Sequence, residues 1–314
     1  MANGVILGRN LVHKGSPVYV IAEIGINHNG RVEMAKKLID VAVQSGCDAV
    51  KFQKRTITNV YTKEELAKPR DVPTDILLNA AKRGVLPTEN LLRLRASDFQ
   101  NSTNGDLKWA LEFTKDEYRE IDAYCRGLGI AWFASPWDIE SVDFLEEFDL
   151  VCHKIASASL TDVELLSHIR SKGRPVILST GMSTMDQIRN AVSVLGKDNL
   201  IILHCTSTYP CSLEEVNLKV MGTLENEFNV PIGFSGHEVG IGATIAAAVM
   251  GACVIERHIT LDRSMWGSDQ SASLEPEGIR RVVGYIRNFE TAQGDGVKKV
   301  YNSELPIISK LRKK

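Results

Sequence analysis

The sequence contains no apolar run of the ~18 residues that a membrane-spanning helix requires. Its richest stretch, Ile241 to Ile255, is shorter and laden with Ala and Gly. The opening MANGVILGRNLVHKGSPVYVIAEIG lacks the long apolar core of a secretory signal. Cysteine is scarce and unpatterned. Cys47, Cys125, Cys152, Cys205, Cys211 and Cys253 show no C-x-x-C spacing, and most sit within apolar segments. That argues against a zinc cluster or disulfide framework and points to reduced thiols in a cytoplasmic protein. An excess of one charge is also missing. At a net charge of -2 there is no electrostatic case for nucleic acid or an anionic membrane as partner. No G-x-G-x-x-G follows the first apolar run, which weighs against a dinucleotide-binding fold.

What is present is a chain of 314 residues, 44% hydrophobic and 24% charged, able to bury a large core. Short apolar runs alternate with amphipathic stretches. The runs are Val18 to Gly25, Ala49 to Gln53, Ala131 to Pro136, Val151 to Ser157, Pro175 to Gly181, Asn199 to Thr206, Pro231 to Ser235 and Cys253 to Thr260. Helical periodicity fills the intervals; the stretch Thr114 to Gly129 opens with the capping signature TKDE and closes on Gly129. The runs are continuously apolar, as in a parallel sheet covered on both faces. Eight such units predict a (β/α)₈ TIM barrel as one domain over 1–314, with 291–314 as a C-terminal tail. Residues 54–113 are too long for a βα loop and predict an insertion at the catalytic face, with helical pieces at Asp75 to Arg83 and Glu89 to Leu94. It serves as a lid, a substrate wall or an oligomer contact.

The C-terminal ends of barrel strands carry the chemistry. Here they read Glu23; Lys51, Gln53 and Lys54; Ser135; Lys154 and Ser157; Ser179 and Thr180; His204, Thr206, Ser207 and Tyr209; Ser235 and His237; Glu256 and His258. Charges and imidazoles at such positions are costly unless paired or bound to ligand. The set predicts a site for a polyanion and a metal. Either His237 or His258 alone reads as an ordinary hydrogen-bonded histidine. As a pair on adjacent strand ends they can face one divalent ion, Mn²⁺ rather than structural zinc, with Mg²⁺ or Co²⁺ as alternatives. His204 is a third candidate, set further back. His13, His28, His153 and His168 read as surface or packing residues. Lys51 and Lys154, embedded in AVKFQ and CHKIAS, point to phosphate or carboxylate binding; a Schiff-base lysine competes with that reading.

The segments IAEIGINHNG, VKFQ, KIAS, ILSTGM, LHCTSTYP, GFSGH, ERHIT and SDQSASLEP, in that order, resemble the N-terminal barrel of the sialic acid synthases. That family includes N-acetylneuraminate, legionaminate and pseudaminate synthases. The resemblance implies condensation of phosphoenolpyruvate with an open-chain aldose such as N-acetylmannosamine. The products are a 2-keto-3-deoxy sugar acid and phosphate, formed by C–O cleavage on a divalent metal in a homodimer. It implies His237 and His258 as metal ligands and Lys51, Lys154, Ser157, Ser179 and Ser235 as donor-holding residues. Glu23, Tyr209 and Asp269 fall near the acceptor and the metal-bound water, with Gln53 and Ser207 among the substrate contacts.

The sequence departs from the family's pattern in places. Ala158 and Ser159 stand where Gly-Glu is frequent, and Ser207 where Asn is frequent. The sequence ends at Lys314, about where the family's small antifreeze-like domain would begin. These departures concern the acceptor, for which the insertion, with Arg70, Arg93 and Arg95, is expected to supply a wall. An octulosonate-phosphate-type synthase using a smaller phosphorylated aldose is the alternative within this fold. A nonenzymatic sugar-binding descendant is the alternative outside it.

Overall fold

The computed structural model describes residues 4–313. A hairpin of β1 (Val5–Leu7) and β2 (Asn10–Val12) comes first, paired antiparallel. Eight parallel strands follow: β3 (Tyr19–Gly25), β4 (Ala49–Lys54), β5 (Ala131–Pro136), β6 (His153–Ile155), β7 (Val176–Ser179), β8 (Leu200–Cys205), β9 (Ile232–Gly236) and β10 (Val254–His258). Their order is β5-β4-β3-β10-β9-β8-β7-β6. The terminal strands β5 and β6 pack side by side, so the sheet is a nearly closed barrel. Helices between the strands form an outer ring, as the sequence period requires.

The ends of these elements follow local chemistry. Thr114 accepts from the Glu117 backbone while the Glu117 side chain accepts from the Thr114 N–H, a capping box that starts the helix Lys115–Leu128. Gly129 ends it in the left-handed conformation, φ 71°. Apolar residues from every barrel strand and the surrounding helices join in one core. Five of the six cysteines are buried, and all six are free thiols.

Residues 55–113 leave the C-terminal end of β4 and form five short helices. The expected pieces appear as Thr74–Arg83 and Thr88–Ala96. Ile57–Val60, Lys63–Ala67 and Asn104–Leu111 were not expected. Thr103 and Asp106 cap the last of these, a Thr-x-x-Asp signal that the sequence displays. The segment has its own apolar cluster, including Ile76, Leu77, Leu94 and Leu107. The fully buried Asp106 carboxylate binds Arg93 and Asn90 from the neighbouring helix. Arg83 binds the carbonyls of Ala110 and Glu112 at the segment's end and ties it to the following helix through Glu117.

Candidate active site

Strand side chains alternate between the two faces of a sheet. That parity sorts the strand ends. Glu23, Lys51, Lys154, Ser179, Ser235 and Glu256 face a cavity of about 210 Å³ at the C-terminal end of the barrel. Gln53, Ser157, Ser207, Tyr209, His237 and His258 also line it. His204 precedes the cavity-lining Cys205 and has the opposite parity. Its Nε2 lies 2.7 Å from the Val216 carbonyl oxygen, in the helix layer, so it is not part of the site. A larger cleft, about 760 Å³, opens at the other end of the barrel. The Lys14–Glu225 ion pair there is solvent-exposed, and the cleft has no buried charge cluster like that of the smaller cavity.

Register places Glu23 opposite Lys51 on β3 and β4, and Glu256 opposite Ser235 on β10 and β9. The β3–β4 ladder shifts between Glu23 and Gly25. A Cβ at Gly25 would lie 3.1 Å from Glu23 Oε1 and 3.3 Å from Gln53 Nε2, and its φ is +53°. Only glycine leaves Glu23 room to turn inward.

The buried charges form one network. Lys51 Nζ is 2.9 Å from Glu23 Oε2 and 3.6 Å from Glu256 Oε2. Lys154 Nζ is 3.7 Å from Glu256 Oε1 and donates to Ser179 Oγ at 2.6 Å. Ser235 donates to Glu256 at 2.9 Å. Two ammoniums therefore flank one carboxylate. Burial would raise Glu256, but the Lys154 and Lys51 charges and the Ser235 hydroxyl outweigh it and hold Glu256 well below the usual carboxylate range. Glu23 goes the other way. Burial pushes it up to about 7, with Lys51 opposing and Glu256 adding to the rise. For Lys154 burial prevails and lowers the ammonium; for Lys51 burial is outweighed by Glu23 and Glu256, and the ammonium is raised. One carboxyl poised near neutrality beside a fixed anion is the arrangement that proton transfer near pH 7 requires.

His237 and His258 stand with ring centroids 5.5 Å apart. His237 Nδ1 is 2.6 Å from the Thr206 carbonyl oxygen, which fixes that nitrogen as the donor and leaves Nε2 a lone pair. His258 Nδ1 is buried with no hydrogen-bond partner among the described residues, 3.9 Å from Asp269 Oδ2. Burial lowers both imidazoles, His237 to about 4, so both stay neutral. Two neutral imidazoles with free lone pairs suit a divalent metal. Among the described residues no three His, Cys, Asp or Glu side chains form a metal-binding group. Any ion held here would thus keep several positions for water or substrate.

Tyr209 lies against His237, the rings tilted by 36° with centroids 4.1 Å apart. Asp269, on the loop after β10, stands at the rim and accepts from Ser268 Oγ at 2.7 Å. Of the arginines expected to wall the acceptor, Arg93 turns inward onto Asp106 and Arg95 is solvent-exposed. Arg70 lies 6.0 Å from the Trp266 ring, on the loop that carries Asp269. Sequence reasoning gave no role to Glu256, although its parity with His258 marks it as inward. It also passed over Trp137 and Arg55, which nothing local distinguishes from surface residues.

A barrel that gathers paired lysines, serine hydroxyls and two neutral imidazoles at its strand ends is an enzyme's anion-handling site. Residues 87–298 match the NeuB family model, and the chain belongs to the NeuB family. It is 38% identical over 299 residues to N,N'-diacetyllegionaminic acid synthase of Campylobacter jejuni, covering 94% of this chain and 83% of that protein. It is 35% identical to human N-acetylneuraminate-9-phosphate synthase, covering 95% and 77%. The crystal structure of N-acetylneuraminic acid synthetase from Leptospira borgpetersenii, in complex with citrate, superposes with a TM-score of 0.76 at 29% identity, covering 100% and 99%. The chain is an enzyme of the same type as these synthases. No helix among the described residues is long and apolar enough to cross a membrane.

Proposed function

We propose that the chain condenses phosphoenolpyruvate with an open-chain aldose to give a nonulosonic acid and inorganic phosphate. The observation that carries this is the pair of buried ammoniums, Lys51 and Lys154, on either side of Glu256 in a serine-lined cavity. They offset the phosphate and carboxylate charges of the donor, and the hydroxyls of Ser157, Ser179 and Ser235 orient it. C3 of the donor bonds to the aldehyde carbon. Water then adds at C2, and phosphate leaves with its bridging oxygen. Glu23, held near neutrality, moves the proton that this addition releases. Gln53, Ser207, Tyr209 and Asp269 line the acceptor side.

His237 and His258 are the residues that would hold a divalent cation; with only two imidazoles and oxygen donors nearby, Mn²⁺ suits the set better than zinc. When bound, it supplies Lewis-acid polarisation of the aldehyde and orients the reactants. A homodimer and a cytoplasmic location belong to the same reading; the six free thiols suit a reducing compartment. The test is release of inorganic phosphate from phosphoenolpyruvate across a panel of aldoses. Release dependent on one acceptor class upholds the reading. No release with any acceptor refutes it.

A further inference from the structure

Three cations converge where the insertion meets the cavity mouth. Arg55 follows β4 and lies 4.3 Å over the Trp137 ring. Lys108, on the helix Asn104–Leu111, sits 4.9 Å over the Tyr61 ring. Among the described residues the Arg70 guanidinium donates only to a neutral acceptor, Asn104 Oδ1, at 3.1 Å. Among the described residues Lys108 has no hydrogen-bond or ion-pair partner, although it is partly buried. Two further donors, Arg55 Nε and Trp137 Nε1, are buried with no acceptor among the described residues.

Two carboxylates, Asp269 and Glu112, act on Lys108 in the sense opposite to these cations. Glu112 is already shared between Lys54 at 3.6 Å and Arg55 at 3.5 Å. The cations Lys54, Arg55, Arg70 and Lys108 thus meet two carboxylates, and the rim keeps an excess of positive charge. Burial, together with the charges of Arg55 and Arg70, pushes Lys108 down to about 8. An ammonium kept among like charges is costly unless an anion completes the group.

The rim joins the cavity directly. Arg55 donates to Gln53 Oε1, and Gln53 donates to Glu23 Oε1 at 3.2 Å. The Trp137 indole forms part of the cavity wall. At about 210 Å³ the cavity is smaller than ligand pockets usually are, about 300–1,000 Å³. It suits a three-carbon donor, and a second reactant must extend toward the rim.

We propose that this rim is a phosphate subsite: Lys108, Arg55 and Arg70 hold a phosphate monoester on the acceptor sugar, at the end remote from its aldehyde. The proposal rests on the condensation reading above and adds the acceptor's chemical class. A phosphate dianion matches the excess positive charge and offers acceptors to the unpartnered donors. A neutral hydroxymethyl group leaves the charge uncompensated.

The test compares N-acetylmannosamine with N-acetylmannosamine 6-phosphate as acceptors, using the full chain and the variants Lys108→Met and Arg70→Met. Wild type should favour the phosphorylated sugar in kcat/KM. Each variant should lower the ratio of the two kcat/KM values, about tenfold or more for Lys108, as expected for a hydrogen bond between charged groups. Arg70 is exposed, so its variant folds even where Lys108→Met does not. Equal use of both sugars by wild type, or a ratio unmoved by both variants, overturns the subsite. If phosphoenolpyruvate yields no phosphate with either sugar, the full aldose panel decides the condensation reading. Calorimetry then decides the subsite. Saturable binding of the sugar phosphate that both variants weaken upholds it. No binding, or binding indifferent to the variants, overturns it.

Discussion

Arg257 and Glu238 close an ion pair of 2.7 Å with neither side chain exposed to solvent, and each is a sequence neighbour of a histidine that faces the cavity. The pair lies on the outer face of β10 and the end of β9; His258 and His237 lie on the inner face. Thr244 and the Glu238 and Gly240 carbonyls complete the guanidinium's partners. The clamp fixes how far apart the two strand ends sit, and with them the imidazoles.

Removing one partner of such a pair strands a buried charge. Arg257→Met or Glu238→Gln should each cost about 3–5 kcal/mol of stability in urea unfolding. The double variant should lose much less than the two single losses combined. Additive losses would show that the two groups do not act as a pair.

Metal removal tests the histidines. EDTA should abolish phosphate release and Mn²⁺ should restore it. His237→Ala and His258→Ala should each weaken Mn²⁺ binding, read by the loss of the free-ion EPR signal on titration. Full turnover in a metal-stripped sample would remove the metal from the reaction.

Lys154 separates charge binding from imine chemistry. Its ammonium is held by Ser179 and Glu256 in a fully buried setting. Borohydride added with substrates should trap no adduct. Lys154→Ala should raise the KM for phosphoenolpyruvate and lower kcat while far-UV circular dichroism stays native. A lysine adduct in the mass spectrum would assign the Schiff-base role instead.

His28 makes stability depend on pH. Burial, aided by the Arg83 charge, lowers its imidazole from 6.5 to about 3. Its Nδ1 accepts from the Gly30 N–H at 3.0 Å, a bond that protonation cancels. As pH falls below about 6.5 the unfolded chain binds this proton and the folded chain does not. The stability contribution is therefore full above about 6.5 and declines as pH falls toward about 3. Urea midpoints should drop across pH 6.5 to 4, with a smaller slope in His28→Gln. An identical slope in the variant would assign the acid sensitivity to other groups.

The alternation of strands and helices is written locally in the sequence. Continuous apolar runs, helical periodicity, the Thr-x-x-Glu cap at Thr114 and the closing Gly129 are local signals that packing did not override. The sequence also dictates which polar residues stand at strand ends. Period-two parity, followed strictly, separates His204 and Arg257 from Cys205, Glu256 and His258. Which of these residues meet depends on how the barrel closes. Glu256 stands between Lys51 and Lys154 because barrel closure brings β4, β6 and β10 around one axis, and no local signal encodes that distance. Lys108 meets Arg55 and Arg70 because a cluster of apolar side chains folds the insertion back over the mouth. Burial then set the charges: Glu23 and Glu256 are the same residue type, and the difference between them lies in the desolvation and the ammoniums around each.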